Sequence, residues 1–220
     1  MVRVKICGIT SLEDALVSLK AGCDALGFMF YKKSPRYIAP GMAKEIIRQL
    51  PADIIKIGVF VNAEEGTVKR IAKLCNLDML QFHGNESAAF CQRFKGIKII
   101  KAFRIKDKLN LEKISRYKTF AYLFDTFKKS KIGGTGKIFN WKLLARDINN
   151  FRIPIFLSGG LNQRNVKRAI ETLHPDWVDA SSSLEIKPGE KDPKKVREFI
   201  EAAKKENYEK VPLLRGRNSG

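Results

Sequence analysis

Eight short apolar runs constrain this chain more than any other feature. They lie near residues 2–6, 24–30, 54–61, 77–82, 97–103, 119–124, 153–157 and 176–180. Each is rich in Val, Ile or Phe and largely lacks strict polar alternation. That pattern reads as a strand buried on both faces. Helical spacing at i, i+3, i+4 and i+7 separates several of them. It is carried by Leu12, Ala15, Leu16 and Leu19, by Val68, Ile71, Ala72 and Cys75, and by Trp141, Leu144, Ala145 and Ile148. It recurs in Val166, Ala169, Ile170 and Leu173, and in Val196, Phe199, Ile200 and Ala203. Cap signals mark several helix starts. Thr10 with Glu13 and Asn62 with Glu65 have capping-box spacing, Asn140 and Asn162 stand where an N-cap belongs, and Asp192 precedes Pro193.

A strand-helix unit needs roughly 20–35 residues, which is the spacing of these runs. Eight units in one chain predict a single-domain α/β fold, the (β/α)8 TIM barrel, over residues 1–207. A doubly wound open sheet has the same alternation and is the alternative. No linker interrupts the array. Residues 208–220 lose periodicity, are basic and turn-rich, and read as a flexible tail or an expression remnant.

Charge narrows the partners. Of 220 residues, 42 are Lys or Arg and 23 are Asp or Glu, a formal net charge of +19. Such a surface suits an anion: nucleic acid, a membrane surface or a small phosphorylated molecule. Solvated helix faces explain many lysines equally well. Lys and Arg are dispersed over all units, without the aromatic interleaving of a nucleic-acid module, so no nucleic-acid partner is expected. No apolar run reaches the length of a membrane span, and no signal-peptide pattern opens the chain. Cys7, Cys23, Cys75 and Cys91 form neither a CxxC nor a metal-ligand spacing, which points to a reducing, cytoplasmic setting without a metal.

In a barrel, function collects at the C-terminal ends of the strands. Those ends carry Cys7-Gly8, then YKKSPR with Arg36, then QFHGNE with His83, FDT with Asp125, LSGG with Gly159 and Gly160, and DASSS with Asp179 and Ser181, Ser182 and Ser183. Glycines after strand seven and serines opening a short helix after strand eight would expose backbone N–H groups to an anion, so this pair of loops predicts a phosphate site. KIGGTGKIF, after strand six, lacks the P-loop spacing and reads as a mobile active-site loop. Cys7 and Asp125 are the strand-end acid–base candidates. Cys7 also reads as a small buried hydrophobe, Asp125 as a cap or turn residue, and His83 as a hydrogen-bonded structural histidine. Alternation puts Arg3, Lys5 and Cys7 on one face, where the Lys5 charge would favour a thiolate.

KICGIT, ALGFMF with SPR, IGVFV, LQFHGNE, FDT with GGTG, LSGGL with NV, and VDASS with E-x-x-P-G-x-K-D follow in order. Together, from about residue 2 to about 200, they resemble the phosphoribosylanthranilate isomerase family of tryptophan biosynthesis. The resemblance implies a cofactor-independent aldose–ketose isomerase. Its reaction would be the Amadori rearrangement of N-(5-phosphoribosyl)anthranilate. Cys7 matches the general base and Asp125 the general acid. Arg36, His83 and Asp179 match substrate-binding positions, with Arg36 near the anthranilate carboxylate. Gly159, Gly160 and Ser181 to Ser183 match the phosphate site, although the family usually carries glycine at position 183. The partner implied is a small anionic phosphosugar, bound by a monomer or homodimer. A related histidine-pathway isomerase would end strand one in aspartate rather than Cys7.

Overall fold

The computed structural model describes residues 1–105, 109–125, 141–148 and 151–204. The tail at 208–220, the Asn140 cap and the GGTG loop lie outside the described residues. Eight parallel strands close into one barrel in sequential order: β1 (Arg3–Cys7), β2 (Ala25–Met29), β3 (Ile55–Phe60), β4 (Met79–Phe82), β5 (Lys98–Arg104), β6 (Ala121–Asp125), β7 (Ile155–Ser158) and β8 (Trp177–Ala180). Closure between β1 and β8, with Lys5 opposite Asp179, rules out the open sheet. The helices are α1 (Leu12–Lys20), α2 (Pro40–Ile47), α3 (Glu65–Leu74), α4 (Ala88–Cys91), α5 (Leu111–Ser115), α6 (Trp141–Ile148), α7 (Val166–Leu173) and α8 (Pro193–Lys204). Among the described residues no helix is long and apolar enough to cross a membrane.

Two apolar cores explain the unalternating strands. Ile57, Met79, Ile100, Leu123, Phe156 and Trp177 fill the barrel interior. Phe156 and Trp177 stack at 4.8 Å, and the Arg3 guanidinium lies 4.2 Å from the Trp177 ring. The outward rows, with Val4, Ile6, Leu26, Phe28 and Phe82, pack under the helices. A strand between two apolar layers must be apolar on both faces. Side chains alternate, so the inner rows run upward from this plug to Cys7, Gln81, Asp125 and Asp179 at the C-terminal ends.

Some local expectations need correcting. Helix α1 is capped by Ser11, whose hydroxyl accepts from Asp14 N–H, while the Thr10 hydroxyl donates to the Gly189 carbonyl. The α1 stripe is also rotated. Leu16 is 49% exposed, and Asp14, Ala15 and Ser18 face inward. Asn62 does not cap α3, which starts after Glu64; Asn62 has φ of 50° and accepts from Asn85 N–H instead. Asn162 serves the turn before α7 by accepting from Arg164 N–H. Asp192 does cap α8, accepting from Lys194 and Lys195 N–H. Helix α7 stops at His174, which is left-handed, because the residue before Pro175 is sterically kept out of the helical region.

Candidate active site

The mouth is a cavity of about 240 Å³ lined by strand-end residues, including Cys7, Arg36, His83, Asp125, Asp179 and Ser181. A wider groove of about 630 Å³ lies beside it, towards β5 and α5, and shares only His83 with the mouth. The smaller cavity holds the acid–base candidates. Among the described residues no group of His, Cys, Asp and Glu could hold a metal ion.

Cys7 ends β1, 6% exposed, opposite Gly27 of β2. Gly27 is there for space. A Cβ on it would come within 2.7 Å of Cys7 Sγ and 3.0 Å of Lys5 Cε. The thiol and the lysine stem therefore share one slot over a bare backbone. Lys5 is fully buried, and its Nζ donates to Asp179 Oδ1 at 3.0 Å. Burial alone would lower the lysine, but its neighbours, the Asp179 charge first among them, outweigh it and hold it above its ordinary range. For Cys7 the balance goes the other way. Burial pushes the thiol up, and the opposing charges of Lys5 and Lys191 do not cancel that rise, which Asp179 reinforces. Lys5 thus faces the lumen, as alternation predicts, and its charge lowers the thiol, but burial outweighs it.

Gly8 turns the chain out of β1 at φ of 79°, a backbone region that side chains rarely enter. A Cβ there would also lie 2.7 Å from Arg36 Cδ. Arg36 reaches across this glycine to Glu185. Its Nε and Nη2 each donate to a Glu185 oxygen at 2.7 Å, a two-point fork. Lys191 donates to the same carboxylate at 2.8 Å. Burial alone would raise the Glu185 carboxyl. Hydrogen bonds from Arg36 and Lys191, with their charges, more than offset this and hold it below the usual range. Arg36 therefore arrives at the mouth already held.

Opposite, His83 follows β4. Its Nε2 lies 3.3 Å from Asp125 Oδ2, and its Nδ1 lies 2.9 Å from Gln81 Nε2. The loop after His83 is pinned from below. Lys101 pairs with Glu86 at 2.7 Å and donates to the Gly84 carbonyl at 2.8 Å, and Glu86 accepts from Asn62 and Gly84 N–H.

The two loops expected to cradle an anion turn sharply at the ends of β7 and β8. Gly159 and Gly160 have φ of 103° and 74°, which turn the chain away from β7 and leave no side chain over it. A 3-10 turn, Ser182–Leu184, follows β8, and its first N–H groups have no partner within the turn. Ser181 Oγ is buried without a hydrogen-bond partner. The Ser183 hydroxyl is already used, donating to the Leu161 carbonyl and tying the β8 turn to the β7 loop. Ser183 has no positive φ, so serine fits there without strain.

Asp179, Arg36 and His83 thus converge with Cys7 and Asp125, and the five cradle residues close one side. Gln81, Glu185 and Lys191 were not among the sequence candidates. Glu185 and Lys191 sit inside the quoted E-x-x-P-G-x-K-D stretch, and Gln81 sits one residue before Phe82 in LQFHGNE. Only Gln81 carried a signal, as a polar residue within an otherwise buried strand; Glu185 and Lys191 lie in a mostly exposed stretch.

The model of the N-(5'phosphoribosyl)anthranilate (PRA) isomerase family matches residues 4–202. The chain belongs to the phosphoribosylanthranilate isomerase family. It is 50% identical over 205 residues to N-(5'-phosphoribosyl)anthranilate isomerase of Thermotoga neapolitana, covering 93% of this chain and 99% of that protein. The crystal structure of phosphoribosyl anthranilate isomerase from Thermotoga maritima superposes with a TM-score of 0.87 at 44% identity, covering 93% of this chain and all of that one. A phosphoribosyl anthranilate isomerase solved in complex with reduced 1-(o-carboxyphenylamino)-1-deoxyribulose 5-phosphate superposes at 0.84, with 41% identity and coverage of 93% and 100%. The barrel mouth is accordingly the part of this isomerase-family chain to which substrate chemistry must be assigned.

Proposed function

We propose that Cys7 is the general base and Asp125 the general acid of this chain's isomerase reaction. The reaction is the rearrangement of N-(5'-phosphoribosyl)anthranilate to 1-(2-carboxyphenylamino)-1-deoxyribulose 5-phosphate. Protonated Asp125 gives its proton to the furanose ring oxygen as the C1–O bond breaks. The anilino nitrogen lone pair forms a Schiff base at C1. Cys7, as thiolate, takes the proton from C2, and the C–H electrons move into a C1–C2 double bond. The resulting enolamine ketonises, losing its O2 proton and gaining one at C1. An anilinic Schiff base is already a good electron sink, so two positioned proton transfers suffice, each worth about 10²–10⁴-fold.

The observation that supports this reading is convergence. Cys7 and Asp125 line one small cavity, with the Gly159-Gly160 and Ser181–Ser183 backbone on the same rim. Phosphate on that rim would fix the ribose between base and acid. Burial raises the thiol, and Lys5 is the buried cation beside it that offsets part of that rise. Arg36, Asp179 and His83 bind the substrate around the reacting carbons. The +19 charge serves capture of this doubly anionic molecule in the cytoplasm, with no nucleic-acid or membrane partner.

The test is kinetic. Cys7→Ala and Asp125→Asn should each lower kcat by at least about 10²-fold with KM nearly unchanged, followed through the decay of anthranilate-type fluorescence. A Cys7→Ala protein turning over within about threefold of the parent removes Cys7 from the mechanism.

A further inference from the structure

Gln81 is a buried polar side chain of the mouth that the proton transfers above do not use. It is 1% exposed on the inner row of β4, two residues before His83. Its amide nitrogen lies 2.9 Å from His83 Nδ1, and His83 Nε2 lies 3.3 Å from Asp125 Oδ2. Its own carbonyl oxygen is buried without a hydrogen-bond partner.

An amide nitrogen only donates. With Gln81 Nε2 facing it, Nδ1 must accept, so the neutral ring carries its proton on Nε2. That proton points at Asp125 Oδ2. Turning the amide over would satisfy its oxygen but leave the NH2 group buried and unpaired. A buried unpaired N–H is the rarer and costlier defect, and an under-satisfied carbonyl the more tolerated one, so the chain favours the first arrangement. Oδ2 is then an acceptor in every cycle, and the acid's proton belongs on Oδ1.

We propose that Gln81 is a positioning residue that holds His83 in its Nε2–H tautomer and so directs which oxygen of Asp125 carries the transferable proton. The inference rests on Asp125 being the general acid. Gln81 lines the mouth but transfers no proton itself. It acts through His83, as an outer partner fixes the ring of a functional histidine.

The chain has two histidines, His83 and His174, so ring-15N NMR can read the tautomer directly. A His174→Asn variant assigns the signals, because asparagine tolerates the left-handed cap that His174 occupies. The wild type should show a bare Nδ1 and a protonated Nε2. Gln81→Glu places a carboxylate at Nδ1 and should move a proton there, with kcat falling about tenfold or more and KM changing less than about threefold. Gln81→Met removes the donor without supplying an acceptor, and its kcat should fall less. Across the three proteins, kcat should follow the Nε2–H tautomer fraction. If glutamate stays protonated and keeps Nε2–H, its kcat should remain near wild type. A wild type with Nδ1 protonated, or variants whose rates and tautomers do not move together, would overturn the proposal. Asp125→Asn tests the acid assignment separately: unchanged kcat there defeats that reading, while the tautomer measurement still reports on Gln81 and His83.

Discussion

Cys7 and Asp125 end strands on different sides of one mouth, and their surroundings share little. On the Cys7 side the partners are charged and dry. Lys5, Asp179, Glu185 and Lys191 are all buried, and each charge faces an opposite one. On the Asp125 side the carboxylate is about a fifth exposed and meets His83, which is backed by the neutral Gln81 amide. The difference suits the roles proposed for the two residues. A thiol must lose its proton inside a buried site, where only a nearby cation offsets the desolvation of the anion. A carboxylic acid in the role proposed for Asp125 must keep its proton until the ring oxygen needs it. The proposed base therefore sits among ion pairs, while the proposed acid meets a histidine that is backed by an amide.

The largest expected effect breaks the charged side. Lys5→Met leaves Asp179 buried without its cation. It should cost about 3–5 kcal/mol of stability in urea unfolding and lower kcat by about tenfold or more. The double change Lys5→Met with Asp179→Leu should recover most of the stability, since an apolar pair can replace a buried ion pair. It should not recover kcat. Recovered rate in the double variant would show that Lys5 serves packing and not the thiolate.

Acid sharpens the comparison next. The folded Glu185 carboxyl is held below its unfolded value, so it contributes stability that is fully present above the unfolded pKa, about 4.3. That contribution is lost as pH falls through the folded pKa. Urea stability measured from pH 7 down to about 3 should fall in the acid range, and Glu185→Gln should flatten that fall while lowering stability at neutral pH. An unchanged acid slope in Glu185→Gln would mean that the Arg36–Glu185–Lys191 cluster is not what the chain loses in acid.

The smallest effect concerns Ser183. Its hydroxyl is committed to the Leu161 carbonyl, and its backbone is unstrained. Ser183→Gly should change KM by less than about fivefold, under about 1 kcal/mol, and leave kcat nearly intact. Ser183→Asp should do far more, because a carboxylate would oppose the phosphate at the turn. Should Ser183→Asp bind substrate as well as the parent, the phosphate lies elsewhere.

The fold was legible because its signal is one-dimensional. A strand covered on both faces must be apolar along its length, and all eight runs mark strands to within about two residues. Long amphipathic helices such as α8 were legible for the same reason. Helices α4 and α5 were not, since four or five residues cannot complete the 3.6-residue pattern twice. Strand ends follow from strands, so Cys7, Asp125 and the glycine-serine rim could be named from the residues, while Arg36, His83 and Asp179 were singled out by the family resemblance. Their partners could not be named. Lys5 meets Asp179 across 174 positions, and Arg36 meets Glu185 across 149, because closing the barrel brings β1 against β8. Whether a thiol is raised or lowered depends on the sum of burial and such distant charges, and on whether Gly27 leaves room for both. The linear order of residues fixed which groups stand at the mouth; only three-dimensional closure decided which charges they feel, because electrostatic energy depends on distance and dielectric, not on position along the chain.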